Sequence, residues 1–354
     1  MKVAIAAGTR PEFIQVEPII RELVGRSIEY IFIHSGQHYD YDMDKIFFEE
    51  MHLPNPTHYL GIGSKLPGEQ IGEMITKSES ILRKEKPDML LVTGDTNTAL
   101  GVALAANKSN IRVGHFEAGM RSFDRSMPEE INRVIIDNFS DVLFSPTKRG
   151  IQNLNDNGIH DNVFLVGDVM LDSITYYRKL IENTSRTLKE LSLTKTPYLL
   201  LTIHREANTD NKERLKNILD AISSVSYPVI FPIHPRTKQR IKSFNIQIPE
   251  NIHVITPAGY FEFLRLICHS EKLLTDSGGA QKQAFFLSKP CITLRPNTEW
   301  VETTESGWNI LVDDNPEQIT KAVSNFNPHG SPDLSPFGNG ESSRKIIDTI
   351  ASKF

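Results

Sequence analysis

Cysteine is nearly absent from this sequence, with Cys268 and Cys291 the only two in 354 residues. Both stand in apolar runs, FLRLICHS and KPCITL, so no disulfide framework and no Cys-x-x-Cys metal site is present. They read as buried free thiols. An excess of basic charge is lacking too, since Lys and Arg total 39 against 44 for Asp and Glu, a net charge of −5. Such a chain is not built to hold a polyanion by counterion release, which argues against nucleic acid as a partner. A few local arginines can still hold a small anion. No apolar run approaches the ~18 residues of a membrane helix. The opening MKVAIAAGTRPEF lacks the basic stretch and long apolar run of a secretory leader. A cytoplasmic protein without membrane association is expected. HExxH, paired Cys–His sets, Asp-rich loops, GxGxxG, a Walker loop and a G-x-S-x-G elbow are all missing, so neither a metal nor a cofactor is expected.

What is present is a repeating β-then-α pattern. Residues 3–7, 30–34, 89–93, 112–115, 142–144 and 163–166 read as strands, with helical periodicity over 11–23, 69–85, 96–107, 129–139 and 149–157. Runs such as MLLV are apolar without alternation, as in strands covered by helices on both faces. After a polar stretch, Arg178–Lys195, the pattern restarts with strands at 198–203, 228–232, 253–255, 272–275 and 291–294. At ~150 residues per domain the length suits about two. The expectation is an α/β fold of two doubly wound parallel-sheet domains, 1–175 and 176–340, with a last helix over about 341–354. Ligands of such sheets sit where strands hand over to helices.

Several of these corners carry chemistry. In Gly8-Thr9-Arg10-Pro11-Glu12 the glycine permits a sharp exit and Pro11 fits a first helical turn. Arg10 then stands where helix amides and dipole favour an anion, unless it is a solvent arginine on an ordinary turn. Asp95, after MLLV, is either the N-cap of the next helix or an acid/base group. Glu117 follows a buried strand, where a carboxylate needs a reason. Glu129 and Glu130 suit the first turn of a helix opened by Pro128, and the dipole explains Glu130 better than Glu129. His204 and His234 follow strands and are open to structural or functional readings, His234 more to the structural. In Thr275-Asp276-Ser277-Gly278-Gly279 a hydroxyl and two glycines open a helix, a geometry that leaves backbone N–H groups bare for a phosphate.

Taken together the corners resemble the non-hydrolysing UDP-N-acetylglucosamine 2-epimerase family. The matching segments are GTRPE (8–12), GQH (36–38), GDTNT (94–98), HFEAGMRS (115–122), PEEINR (128–133), HRE (204–206), HP (234–235), DSGG (276–279) and TEWVE (298–302). The resemblance implies the GT-B architecture, two Rossmann-like domains with the active site in the cleft and the C-terminal helix packing back on the first. It also implies a homodimer acting on a UDP-sugar, with C2 inverted through loss of UDP to a bound glycal. Carried over position by position, it implies Asp95, Glu117, Glu129 and His204 as catalytic. Arg10, Gln15, Arg133, His204, Ser277, Gly278, Gly279 and Gln283 are then implied around UDP or the sugar. The family usually has Lys at Gln15, Glu at Gln283, T-E-R-P at Thr298-Glu299-Trp300 and G-N-T at Gly167-Asp168-Val169. The last two features, with Ser306-Gly307-Trp308-Asn309, are similar to the branch acting on UDP-2,3-diacetamido-glucuronic acid.

Overall fold

The computed structural model describes residues 1–37, 45–183 and 185–353. The chain forms two compact units, one of Met1–Tyr176 with Leu334–Phe354 and one of Tyr177–Asp333. The first holds a seven-stranded parallel sheet. Its strands are β1 (Lys2–Ala7), β2 (Glu29–His34), β3 (His58–Tyr59), β4 (Met89–Thr93), β5 (Arg112–Phe116), β6 (Val142–Ser145) and β7 (Val163–Leu165), in the order β3-β2-β1-β4-β5-β6-β7. The second holds six parallel strands, β8 (Leu199–Thr202), β9 (Val229–Pro232), β10 (Ile252–Ile255), β11 (Lys272–Thr275), β12 (Cys291–Thr293) and β13 (Asn309–Leu311), in the order β10-β9-β8-β11-β12-β13.

The central strands of both sheets are buried on both faces, which is why they read as unbroken apolar runs, whereas the edge strands β3, β7 and β10 are partly exposed. Every residue of β4 is buried. In the first unit Ala4, Ile31, Leu90 and Val113 pack with Met74, Leu82, Ala99 and Ala103 from the covering helices. In the second, Leu201, Phe231, Leu274 and Ile292 meet Leu215, Ile218, Leu219 and Ile319. Strands β3 and β13 have no counterpart in the sequence reading; β3 is only two residues long and neither of them is fully buried. The thiols differ from expectation in part. Cys291 is buried, and burial pushes it up to about 12. Cys268 is only partly buried, near the end of the helix Tyr260–His269.

In each sheet the strand order reverses direction once, between β1 and β4 and between β8 and β11. At such a switch point the loops leave to opposite sides and open a crevice at the carboxyl ends of the strands. The last helix, Ser342–Lys353, belongs to the first unit and packs on the helix Arg10–Gly25. Buried Asp172 anchors its start by accepting from Ser342 N (3.0 Å), Ser343 N (2.7 Å) and Ser343 Oγ (2.7 Å). Among the described residues no helix is long and apolar enough to cross a membrane.

Candidate active site

The first switch point gathers the corners after β1, β4 and β5. Gly8 is required by contact, since a Cβ there would lie 1.6 Å from Ser35 Oγ and 2.9 Å from Thr98 Oγ1. The helix Arg10–Gly25 follows at once, and Arg10 lies with its guanidinium carbon 5.3 Å from the centre of the Phe47 ring. Glu12 is buried beneath this corner. It accepts from Gly8 N (2.8 Å), Thr9 N (2.9 Å) and Thr9 Oγ1 (2.9 Å), and from Thr96 Oγ1 of the β4 corner. Burial pushes Glu12 up to about 7, against the lowering effect of those donors.

Asp95 is not the cap of its helix. Thr96 takes that place, with extended backbone and a hydroxyl that accepts from Ala99 N at 3.1 Å. Asp95 instead pairs with the buried Arg133 guanidinium and stays partly open to solvent. The other end of Arg133 reaches Glu130 Oε2 at 3.3 Å. Asn132 adds a bond from its amide to the Asp95 carbonyl (2.9 Å). The first-turn helix position explains Glu130 less than its burial does. It accepts from Ser122 N (2.8 Å), Ser122 Oγ (2.9 Å) and Phe123 N (3.2 Å), tying down the loop that leaves β5. Glu129, one residue earlier on the helix Pro128–Phe139, is only partly buried.

Glu117 has the backbone conformation expected of a glycine, with φ at +67°. Non-glycine residues adopt this region uncommonly and at some energetic cost; elsewhere in the chain it serves turns and helix ends, as at Lys86, whereas Glu117 adopts it directly after the buried strand β5. Its carboxylate accepts from Gln15 Nε2, and Gln15 Oε1 in turn accepts from Thr93 Oγ1. Gln15 is thus held at both ends of its amide. Behind the corner, Asp137 accepts from His115 Nδ1 (2.7 Å) and Gly119 N (3.2 Å) and lies 2.6 Å from Arg121 NH1. Burial would raise Asp137, but His115 and Arg121 outweigh it and hold the carboxyl below its ordinary value.

At the second switch point Asp276 is fully buried and joins two corners. It accepts from His204 N (3.0 Å), Arg205 N (3.0 Å) and Asn208 Nδ2 (3.1 Å). His204 is left with its side chain 40% exposed, its ring centre 6.1 Å from that of His234. His234 is a helix cap, with Nδ1 accepting from Arg236 N at 3.2 Å, in line with its structural reading. Ser277 caps the helix Gly278–Phe286 by accepting from Ala280 N at 3.3 Å. Gly278 also answers a packing need that the sequence reading missed, because a Cβ there would meet Glu299 Oε1 at 2.2 Å. Gln283 is buried farther along the same helix. Its neighbour Lys282 is fully buried with Nζ 3.8 Å from the centre of the Trp300 ring. That contact gives the tryptophan of Thr298-Glu299-Trp300 a physical role, since a second cation there would face Lys282. His38 lies outside the described residues.

Two doubly wound sheets define the class. One carries carboxylates at its switch point, the other an exposed histidine beside a glycine-opened helix, the equipment of an α/β enzyme for acid–base chemistry on an anionic ligand. The chain belongs to the UDP-N-acetylglucosamine 2-epimerase family, whose model matches residues 21–351. It is 49% identical to the UDP-N-acetylglucosamine 2-epimerase of Methanocaldococcus jannaschii, over 98% of both chains. It is 38% identical to the UDP-2,3-diacetamido-2,3-dideoxy-D-glucuronate 2-epimerase of Pseudomonas aeruginosa, over 99% of both. Among solved structures, that of the Methanocaldococcus jannaschii UDP-GlcNAc 2-epimerase in complex with UDP-GlcNAc and UDP matches with a TM-score of 0.94 and 48% identity, covering 99% of this chain and 100% of the other.

Proposed function

We propose that this protein interconverts UDP-GlcNAc and UDP-ManNAc by inverting C2 without hydrolysis. A carboxylate takes the C2 proton, the C2–H electrons form the C1=C2 bond, and the C1–O bond breaks with its pair leaving on UDP. The glycal and UDP stay bound. UDP oxygen then re-forms the bond to C1 while a proton is delivered to the opposite face of C2. A proton that leaves one face and returns to the other calls for two groups, and Asp95 and Glu117 are the pair assigned to them, with Glu129 supporting the second step. The observation that carries the reading is that neither carboxylate is spent on capping a helix, while Glu117 is held in a strained backbone at the switch point. An ordinary carboxylate, with pKa about 4, is a weak base, so departure of UDP must acidify C2–H.

Arg10, His204 and the Gly278 and Gly279 amides take the growing diphosphate charge, the Ser277 amide being already bonded to Thr275 Oγ1 at 3.0 Å; electrostatic stabilisation of this kind is commonly a large share of catalysis. Gln15, Arg133 and Gln283 complete the surroundings of UDP or sugar, Arg133 through Asp95 and Gln15 through Glu117. The enzyme works as a cytoplasmic homodimer and supplies an activated acetamido sugar for polysaccharide assembly. Purified UDP-GlcNAc and UDP-2,3-diacetamido-glucuronate, each incubated with the protein and followed by NMR at C2, test the assignment. Inversion of the first supports it. The second substrate is the alternative, favoured by Trp300 and by the Pseudomonas relative. Conversion of neither refutes both.

A further inference from the structure

The buried cluster of His115, Asp137 and Arg121 lies outside the groups assigned to substrate, yet it touches both corners that carry the proton-transfer pair. His115 Nε2 donates to Gly94 O at 2.9 Å, and Gly94 N donates to Phe116 O at 3.3 Å. Gly94, with φ at +69°, directly precedes Asp95, so both sides of that residue are fastened to β5. On its other side His115 Nδ1 donates to Asp137 Oδ1 at 2.7 Å. The second Asp137 oxygen accepts from Gly119 N (3.2 Å) and faces Arg121 NH1 (2.6 Å), which also donates to Met120 O at 2.8 Å. Gly119, with φ at +81°, stands two residues after Glu117. Asn153 Nδ2 closes the loop from outside by donating to Gly119 O at 2.8 Å.

The three side chains are 0–2% exposed. The His115 ring lies between a backbone carbonyl and the Asp137 carboxylate, and the Arg121 guanidinium faces the other carboxylate oxygen, so the cluster buries an ion pair together with a polar ring. Burial of such groups carries a high desolvation penalty, and apolar residues of similar volume often serve stability as well. Stability alone thus does not explain it.

We propose that His115, Asp137 and Arg121 are positioning residues that hold Asp95 and Glu117 in register with one another across the switch point. The inference rests on the epimerase reading and deepens it. A small loss of alignment at reacting groups lowers rate without touching remote binding. The phosphate-binding groups belong to other corners, so UDP affinity should be indifferent to this cluster.

The test compares Asp137→Asn, Arg121→Met and Arg121→Lys with the wild type in kcat, KM for UDP-GlcNAc, UDP affinity by calorimetry, and melting temperature. Asp137→Asn and Arg121→Met are expected to lower kcat about tenfold or more, with KM and UDP affinity within about threefold of wild type. Arg121→Lys, which keeps a cation against Asp137, is expected to recover a large part of the loss. Unchanged kcat in a folded Asp137→Asn or Arg121→Met protein would overturn the proposal. So would parallel loss of kcat and UDP affinity, or failure of even Arg121→Lys to fold. If Asp137→Asn does not fold, the two Arg121 variants decide by the same criteria. A wild-type protein that binds UDP but inverts no UDP-sugar would instead sink the parent reading.

Discussion

Replacing Glu117 separates chemistry from architecture, because the structure sets the size of both effects. Glu117→Gln keeps the shape and an oxygen for Gln15 Nε2, and loss of the charge assistance in that half-buried hydrogen bond costs the folded state about 1 kcal/mol. In a domain of this size that is a fall of ~2–4 °C in melting temperature. The amide cannot take up a proton, however, and turnover should fall by roughly a hundredfold or more, about 2.7 kcal/mol in the barrier. UDP affinity should stay within about twofold. Glu117→Gly is the companion. It relieves the left-handed backbone at φ +67°, worth ~1 kcal/mol, while adding chain entropy of ~0.5–1 kcal/mol and losing the bond to Gln15. Its net stability change is therefore small. Both variants should be folded, should bind UDP and should be almost without turnover in an NMR assay of C2 inversion. Turnover within tenfold of wild type in either folded variant would remove Glu117 from the mechanism.

Three further outcomes follow from particular contacts. The folded protein keeps the Glu12 proton up to about pH 7, whereas the ordinary value is 4.5; the folded state thus binds more protons in that window, and stability falls as pH rises across it. Wild type should therefore lose stability relative to Glu12→Gln between about pH 5 and pH 7, and a flat difference in denaturant midpoints would contradict this. Trp300→Arg sets a second cation against buried Lys282 and removes a large buried ring, which should cost about 3 kcal/mol or more in urea denaturation; Trp300→Phe should cost distinctly less. Asp172→Ala leaves two amides of the last helix without their carboxylate, about 2–4 kcal/mol, and limited proteolysis should then cut first near residue 342; an unchanged cutting pattern would refute the anchoring role.

Much of the fold was legible because a strand covered on both faces leaves an apolar run, as in MLLV of β4, and because Gly8, Pro11 and Pro128 punctuate the chain where helices begin. The short edge strand His58–Tyr59 left no such mark. The corners were legible as places, less so as contacts. Asp95 and Thr96 are adjacent and both are good helix caps, so only the backbone geometry decides that Thr96 caps and Asp95 turns to Arg133. Glu130 read as a dipole partner, while its main partners are backbone amides of a loop eight residues earlier, a pairing that periodicity does not encode. Asp137 carried a signal that went unused. An acid four residues after Arg133, in the last turn of an amphipathic helix, falls on the buried face, and a buried acid needs a partner. The exchange of an arginine for Trp300 made physical sense only once Lys282 was seen against its ring.

The most direct measurement of the central claim is isotope exchange at C2. UDP-GlcNAc carrying deuterium at C2 is incubated with the wild-type protein in ordinary water, with no sugar acceptor present. Elimination and re-addition predict that the deuterium is replaced by hydrogen as UDP-ManNAc appears, with UDP released only in traces. Retention of the deuterium over hours in a protein that binds UDP would contradict epimerisation of UDP-GlcNAc, and UDP formation that depends on an added acceptor would contradict an epimerase.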